Sequence, residues 1–173
     1  LEGNLLLSYK PLHLEAQQRL QEEGCIVDIN ASCAVKLDML KAFDRVEWHY
    51  LEAMMTKLGF GEKFVRLVMK CVSSVRFSVK VNGALLPFFQ STKGLRQGCP
   101  MSPFLFLICA EGFTLLMNNH GGPHIDRGIC VSVRSPWVNH LLFADDSLIF
   151  IKANEESAAR LNDILAIYGD ASG

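Results

Sequence analysis

His140-Leu141-Leu142-Phe143-Ala144-Asp145-Asp146-Ser147-Leu148-Ile149-Phe150-Ile151-Lys152 is the stretch on which the fold of this chain turns. Two apolar runs, His140 to Ala144 and Ser147 to Lys152, have the length and composition of short strands. Between them stand two adjacent acids, Asp145 and Asp146. A tight turn between hydrophobic strands would hold both carboxylates at one place on a rigid scaffold, and a cation would relieve their mutual repulsion. Two acids in a turn also fit an exposed, solvated bend, so the pair needs a third group from elsewhere in the chain.

Asp38 is the candidate. Ala34 to Leu40 reads as a buried strand leading into it, and an unpaired carboxylate in such a strand would be costly. A second strand bearing acids could share a metal with it. Three carboxylates form a hard, all-oxygen donor set suited to two Mg²⁺ ions, which keep positions open for substrate phosphates. Asp38 could equally cap a helix or pair with Lys36 or Lys41. A further segment runs Gly94-Leu95-Arg96-Gln97-Gly98-Cys99-Pro100-Met101-Ser102-Pro103. Its glycines permit close backbone approach, Arg96 can neutralise phosphate, and Gln97 can hydrogen-bond a base or sugar edge. Ser102 as N-cap and Pro103 as first helical residue then open a helix, whose N-terminus is an anion site. A plain turn and cap would use the same residues without a ligand.

Outward from these segments, the apolar spacing is helical from Leu5 to Gln21, interrupted by Pro11, and again from Glu47 to Leu58, stopped by Gly59. Phe64, Leu67, Val68, Cys71 and Val72 predict another helix. The period then falls to two: Phe77, Val79 and Val81 alternate with Arg76, Ser78 and Lys80, and Asn82-Gly83 supplies a hairpin turn. Pro87 in the return strand argues for a sheet edge. The helix from Ser102 should reach about Asn118, buried on most sides. Asn154 should cap a last helix with Ala158, Leu161, Leu165 and Tyr168 on one face. Helices and a mainly antiparallel sheet in this order predict a two-layer α+β domain.

The chain has 173 residues, 50% of them hydrophobic and 20% charged, which suits one domain with a sizeable core. Its most apolar stretch, Phe104 to Met117, is broken by Glu111 and Gly112 and is shorter than the roughly 20 residues a membrane span needs, so no membrane partner is expected. Cysteines 25, 33, 71, 99, 109 and 130 contain no CxxC pair, which points to reduced thiols and an intracellular protein. Cys109, His120, His124 and Cys130 could converge on zinc, though the residues between them read more simply as an exposed loop. The net charge of −1 conceals segregation: Lys57 to Arg96 holds eight basic residues against Glu62, a net +7, and the remainder is −8. Such a division suits an enzyme that meets phosphate with one part and cations with another, as well as two ordinary solvated surfaces. The chain opens at Leu1 without an initiator Met or a signal peptide and reads as a piece of something longer.

Taken together, Lys36-Leu37-Asp38-Met39-Leu40-Lys41-Ala42-Phe43-Asp44-Arg45-Val46-Glu47-Trp48, Gly94 to Pro103 and Phe143 to Asp146 resemble the reverse transcriptases of non-LTR (LINE-type) retrotransposons, especially those of plants. Val81-Asn82-Gly83 and Cys109-Ala110-Glu111-Gly112 also look like that family. The resemblance implies a polymerase palm with incomplete fingers and no thumb, in a single partial domain over 1–173. Residues 1–34 would be a poorly matched lead-in and 35–173 the palm. It implies that Asp38, Asp145 and Asp146 are the catalytic metal ligands for two Mg²⁺, with Mn²⁺ as substitute. Phe43 falls at the steric-gate position that would crowd a ribose 2′-hydroxyl, and Arg96, Gln97 and Gly98 match the segment contacting nucleotide and template. The expected reaction is attack of a primer 3′-hydroxyl on a deoxynucleoside triphosphate, with an RNA template and a DNA primer as partners and access to the nucleus. The departures are Leu40, where a small Ser is common, and Cys99, where Asp is frequent. The alternatives are a truncated, catalytically inactive remnant that at most binds nucleic acid, and another two-metal phosphotransferase or nuclease.

Overall fold

The computed structural model of the protein describes residues 8–10, 32–119, 128–130 and 135–173. In chain order the elements are β1 (Ser8–Lys10), β2 (Ser32–Asp38), α1 (Ala42–Arg45), α2 (Trp48–Lys57), α3 (Glu62–Ser73), β3 (Arg76–Phe77), β4 (Lys80–Val81), β5 (Ala84–Leu85), β6 (Phe89–Gln90), α4 (Ser102–Asn119), β7 (His140–Phe143), β8 (Asp146–Lys152) and α5 (Glu155–Ser172). Two compact units form: described residues up to Leu40 with those of Phe113–Ile167, and Lys41–Gly112 with Tyr168–Gly173. No helix among the described residues is long and apolar enough to cross a membrane.

The first unit is built on a four-stranded antiparallel sheet in the order β1-β2-β8-β7. Cys33, Val35 and Leu37 of β2 are buried and lie opposite Ile151, Ile149 and Ser147 of β8, which are buried too. Lys36 and Asp38 alternate with them and are exposed. The strand is therefore two-faced, not buried throughout, and the desolvation cost expected for Asp38 does not arise. Phe113 and Met117 of α4 and Leu161 and Ile164 of α5 are buried in the same unit. Phe113 meets the His140 ring edge-on at 5.9 Å, and Thr114 Oγ1 lies 3.0 Å from His140 Nε2, which seats α4 on β7.

The Ser157 amide donates to Asn154 Oδ1 at 2.8 Å, the cap expected for α5. Its buried residues are Ser157, Leu161, Ile164 and Tyr168, so the inward face is rotated from the expected one and Ala158 is exposed. Both sets have helical spacing, and packing selects between them. The helix expected from Leu5 is corrected at Ser8–Lys10, which pairs as a strand with β2, Ser8 opposite Lys36. An open sheet edge offers a row of backbone partners that local helical spacing cannot register. Residues 11–31, Cys25, His120 and His124 lie outside the described residues. Cys71, Cys99 and Cys109 are free thiols.

In the second unit α2 runs as expected, with Leu51, Met54 and Met55 buried and Gly59 ending it at a φ of 86°. On α3 the buried residues are Val65 and Val68, while Phe64 and Leu67 are exposed, so its expected apolar stripe is only partly covered. Asn82 and Gly83, with φ of 47° and 88°, make the expected turn between β4 and β5. The alternating apolar residues of this hairpin are not covered: Val79 and Val81 are about half exposed, at 48% and 47%. Pro87 lies where the ladder lapses between β5 and β6, after Leu86 N–H has donated to Val79 O at 2.9 Å.

Helix α4 is less enclosed than expected, since Phe104 and Leu107 face solvent. Its buried side is organised around the Cys109 carbonyl, which accepts the Tyr50 hydroxyl at 3.2 Å and the Tyr168 hydroxyl at 3.4 Å. The two rings meet edge to face at 6.1 Å. Burial pushes the Tyr168 hydroxyl up to about 12 and the Tyr50 hydroxyl upward as well, so both stay neutral donors. Gly112 lies beneath Tyr50, and a Cβ there would run into the tyrosine hydroxyl. Gly112→Ala should therefore lower stability in urea by about 1–2 kcal/mol, overpacking outweighing the better helix propensity. Adding Tyr50→Phe should restore most of that loss; a Gly112→Ala chain as stable as the parent would refute this packing.

Candidate active site

The register that buries one face of β2 and β8 sets Asp38 opposite Asp146 on the other. Met39 N–H donates to the Asp145 carbonyl at 3.2 Å, one step beyond that pair. In an antiparallel ladder this makes Asp38 and Asp146 a non-hydrogen-bonded pair, the closer of the two kinds, with Cα atoms about 4.5 Å apart. Asp145 stands beside them in the two-residue turn from β7 to β8, after Ala144 with a φ of 52°. Asp146 itself is the first residue of β8, not part of the turn. Phe143, 82% exposed, lies opposite Asp146 on the same face.

Like charges directly opposite on two strands repel. Lys36 offsets this from the diagonal position, its Nζ 2.9 Å from Asp146 Oδ1. The hydrogen bond to Asp146 raises the Lys36 pKa above the ordinary lysine value, with the Asp38 and Asp145 charges adding to it. The lysine thus remains an ammonium throughout the neutral range. The carboxylates suit a divalent cation in kind and in their common position at one end of the hairpin. Among the described residues, however, no three His, Cys, Asp or Glu side chains are gathered into a metal-holding group. Asp146 is turned to Lys36, so a cation binding there would replace the ammonium as its counter-charge.

The other expected residues lie in the second unit. Phe43, on α1, stacks on Phe106 with ring centroids 5.0 Å apart. With Gln97, Gly98, Cys99, Pro100, Ser102 and Pro103 it lines a cavity of about 470 Å³. Arg96 lines a second cavity of about 480 Å³ with Asp44, Trp48, Lys93 and other residues, and Gln97 belongs to both. Ser102 is used differently from the expected N-cap: its hydroxyl donates to the Arg96 carbonyl at 2.7 Å and ties the loop to the start of α4.

Lys36, one of the ion-pair partners expected for Asp38, pairs with Asp146 instead, and Asp44, Glu47 and Trp48, which carry no separate role in the sequence reading, have partners far along the chain. Cys99 likewise carries little weight there. The Met101 amide and then the Arg96 guanidinium stabilise the Cys99 thiolate, lowering its pKa to about 7. A cysteine beside an arginine and just ahead of a helix was the local signal for this.

A family model described as reverse transcriptase (RNA-dependent DNA polymerase) matches residues 6–171. The chain belongs to the reverse transcriptase family. It is 45% identical to an uncharacterized mitochondrial protein of Arabidopsis thaliana over 67 residues, 39% of this chain and 55% of that one. It is 36% identical to the transposon TX1 uncharacterized 149 kDa protein of Xenopus laevis over 83 residues, 48% of this chain and 6% of that one. The chain thus spans about half of the first relative and a small part of the second. Among solved structures, it is similar to the Candida tropicalis telomerase in complex with the TWJ fragment of telomeric RNA, with a TM-score of 0.62 and 14% identity, covering 90% of this chain and 26% of that one. The apo telomerase of the same organism, truncated from its C-terminal domain, gives a TM-score of 0.54 at 16% identity over 90% of this chain and 31% of that one. At such identities the likeness shows fold, and the fold of this reverse transcriptase chain is an α+β polymerase palm.

Iodoacetamide alkylation of Cys99, followed by peptide mass spectrometry, should show a rate that rises with pH about a midpoint near 7, because only the thiolate reacts. Arg96→Ala should move the midpoint upward, and unfolding in urea should move it into the ordinary thiol range. A profile with no inflection near neutrality would refute the electropositive setting of this thiol.

Proposed function

We propose that this chain is the polymerising palm of a LINE-type retrotransposon reverse transcriptase, an RNA-directed DNA polymerase that extends a DNA primer with deoxynucleotides. The observation that carries this reading is the close Asp38–Asp146 pair with Asp145 in the adjoining turn, formed from segments far apart in sequence. Membership of the family and the transposon relative support it. The family's description as an RNA-dependent DNA polymerase supports an RNA as the class of template. Copying at a chromosomal target would also require access to the nucleus.

Asp38, Asp145 and Asp146 would hold two divalent cations, Mg²⁺ or in its place Mn²⁺. When bound, such ions neutralise phosphate charge and make the primer 3′-hydroxyl a better nucleophile. The chain's own residues do the positioning. Arg96 offers a guanidinium to phosphate oxygens, Gly98 lets the nucleotide approach the backbone, and Gln97 hydrogen-bonds its edge. The Phe43 ring, braced by Phe106, crowds a ribose 2′-hydroxyl and so favours deoxynucleotides. The second reading is an inactive remnant that binds nucleic acid through its basic segment. The ion pair that Lys36 makes with Asp146, one of the three acids, favours it.

Primer extension on an RNA template with Mg²⁺ or Mn²⁺ decides between them. Extension by the chain, reduced roughly 10²-fold or more by Asp145→Asn, is the expected result. Extension untouched by Asp145→Asn would remove the acid pair from the chemistry, and primer–template binding without extension would establish the remnant. Phe43→Ala should raise ribonucleotide use relative to deoxynucleotide use by about tenfold, read as the ratio of kcat/KM values. An unchanged ratio would dismiss Phe43 as the gate.

A further inference from the structure

The loop that carries Arg96, Gln97 and Gly98 is fastened to the segment Phe43–Trp48. Gly94 N–H donates to Val46 O at 2.8 Å and Leu95 N–H to Phe43 O at 2.7 Å, while the Trp48 indole N–H donates to Gly94 O at 2.8 Å. Lys93 Nζ sits 3.0 Å from Glu47 Oε1. Gly94 has a φ of 88°, and a Cβ on it would stand 2.7 Å from the Asp44 carbonyl oxygen, so the approach of the two backbones needs glycine.

Two residues beyond this fastening, the Gln97 side chain reaches the same segment through its amide. Gln97 Nε2 donates to Asp44 Oδ1 at 3.3 Å. A carboxylate can only accept, so the NH₂ end of the amide must be the end that faces it. The carbonyl end, Oε1, is then the end that Asp44 does not engage, on a side chain that also lines a cavity with Phe43.

We propose that Asp44 is a positioning residue that sets the Gln97 amide with its oxygen toward the bound nucleotide, so that the loop recognises a hydrogen-bond donor there. This rests on the polymerase reading. The donor is a sugar hydroxyl or a base amine, and the two are separable by ligand. Asp44 contributes direction, and Gln97 makes the contact.

The test uses the full chain labelled with ¹⁵N. The Gln97 side-chain amide resonance is identified by its loss in Gln97→Ala. In Asp44→Asn, whose side chain can donate as well as accept, that resonance should shift while the backbone amides of Gly94 and Leu95 stay in place. In titrations with dATP and Mg²⁺, Asp44→Ala and Gln97→Ala should each weaken binding by about five- to tenfold, the worth of one hydrogen bond. The double variant should bind no more weakly than Gln97→Ala alone. With the dideoxy analogue, which lacks the 3′-hydroxyl, the penalty of Asp44→Ala should vanish if the donor is that hydroxyl and persist if it is the base amine. A Gln97 resonance unmoved in Asp44→Asn, or additive losses in the double variant, would overturn the positioning role. A wild-type chain that fails to bind dATP would instead overturn the polymerase reading beneath it.

Discussion

The register between β2 and β8 is the constraint on which the acid face depends. Cys33 with Ile151, Val35 with Ile149 and Leu37 with Ser147 are opposed on the buried face, and each step along the pair alternates between core and solvent. A slip of one residue would turn Asp38 inward and part it from Asp146. The acids do not hold themselves together: as opposed like charges they cost up to about 1 kcal/mol. Burying a single aliphatic side chain beneath them contributes about 1.5–3 kcal/mol, so the core imposes the repulsive neighbourhood. Lys36 moderates it from the diagonal without removing it.

Much of this arrangement was legible in the residues because its signals are local. The Asp145–Asp146 hairpin, the Asn82-Gly83 turn, α2 and the Asn154 cap each depend on chemistry contained within about ten residues. Two failures have the same origin. Ser8–Lys10 became a strand because β2 offers it an open edge, and α5 turned Ile164 inward because of what the rest of its unit presents. The burial expected for Asp38 fails for another reason. Cys33, Val35 and Leu37 alternate with Lys36 and Asp38, so only one face of the run is apolar and the acid lies on the other.

For the candidate site, the acids named from their motifs share one end of the sheet, Phe43, Gln97 and Gly98 share a cavity, and Arg96 lines the other cavity. What could not be read in advance is the fastening. Trp48 is bound to Gly94, Asp44 to Gln97 and Glu47 to Lys93, each across 46 or more positions of chain. Such pairs leave no periodic trace, and their residue types are equally at home on any solvated helix.

Gln97 lines two cavities, one shared with Phe43 and the other with Trp48. A ligand that moved its side chain from one side would alter the surface offered on the other. Free energy is a state function, so the influence must be equal in both directions: whatever filling the Phe43 cavity does to affinity in the Trp48 cavity, the reverse filling does in the same ratio. Any coupling that this one glutamine carried between the two recesses would therefore be reciprocal.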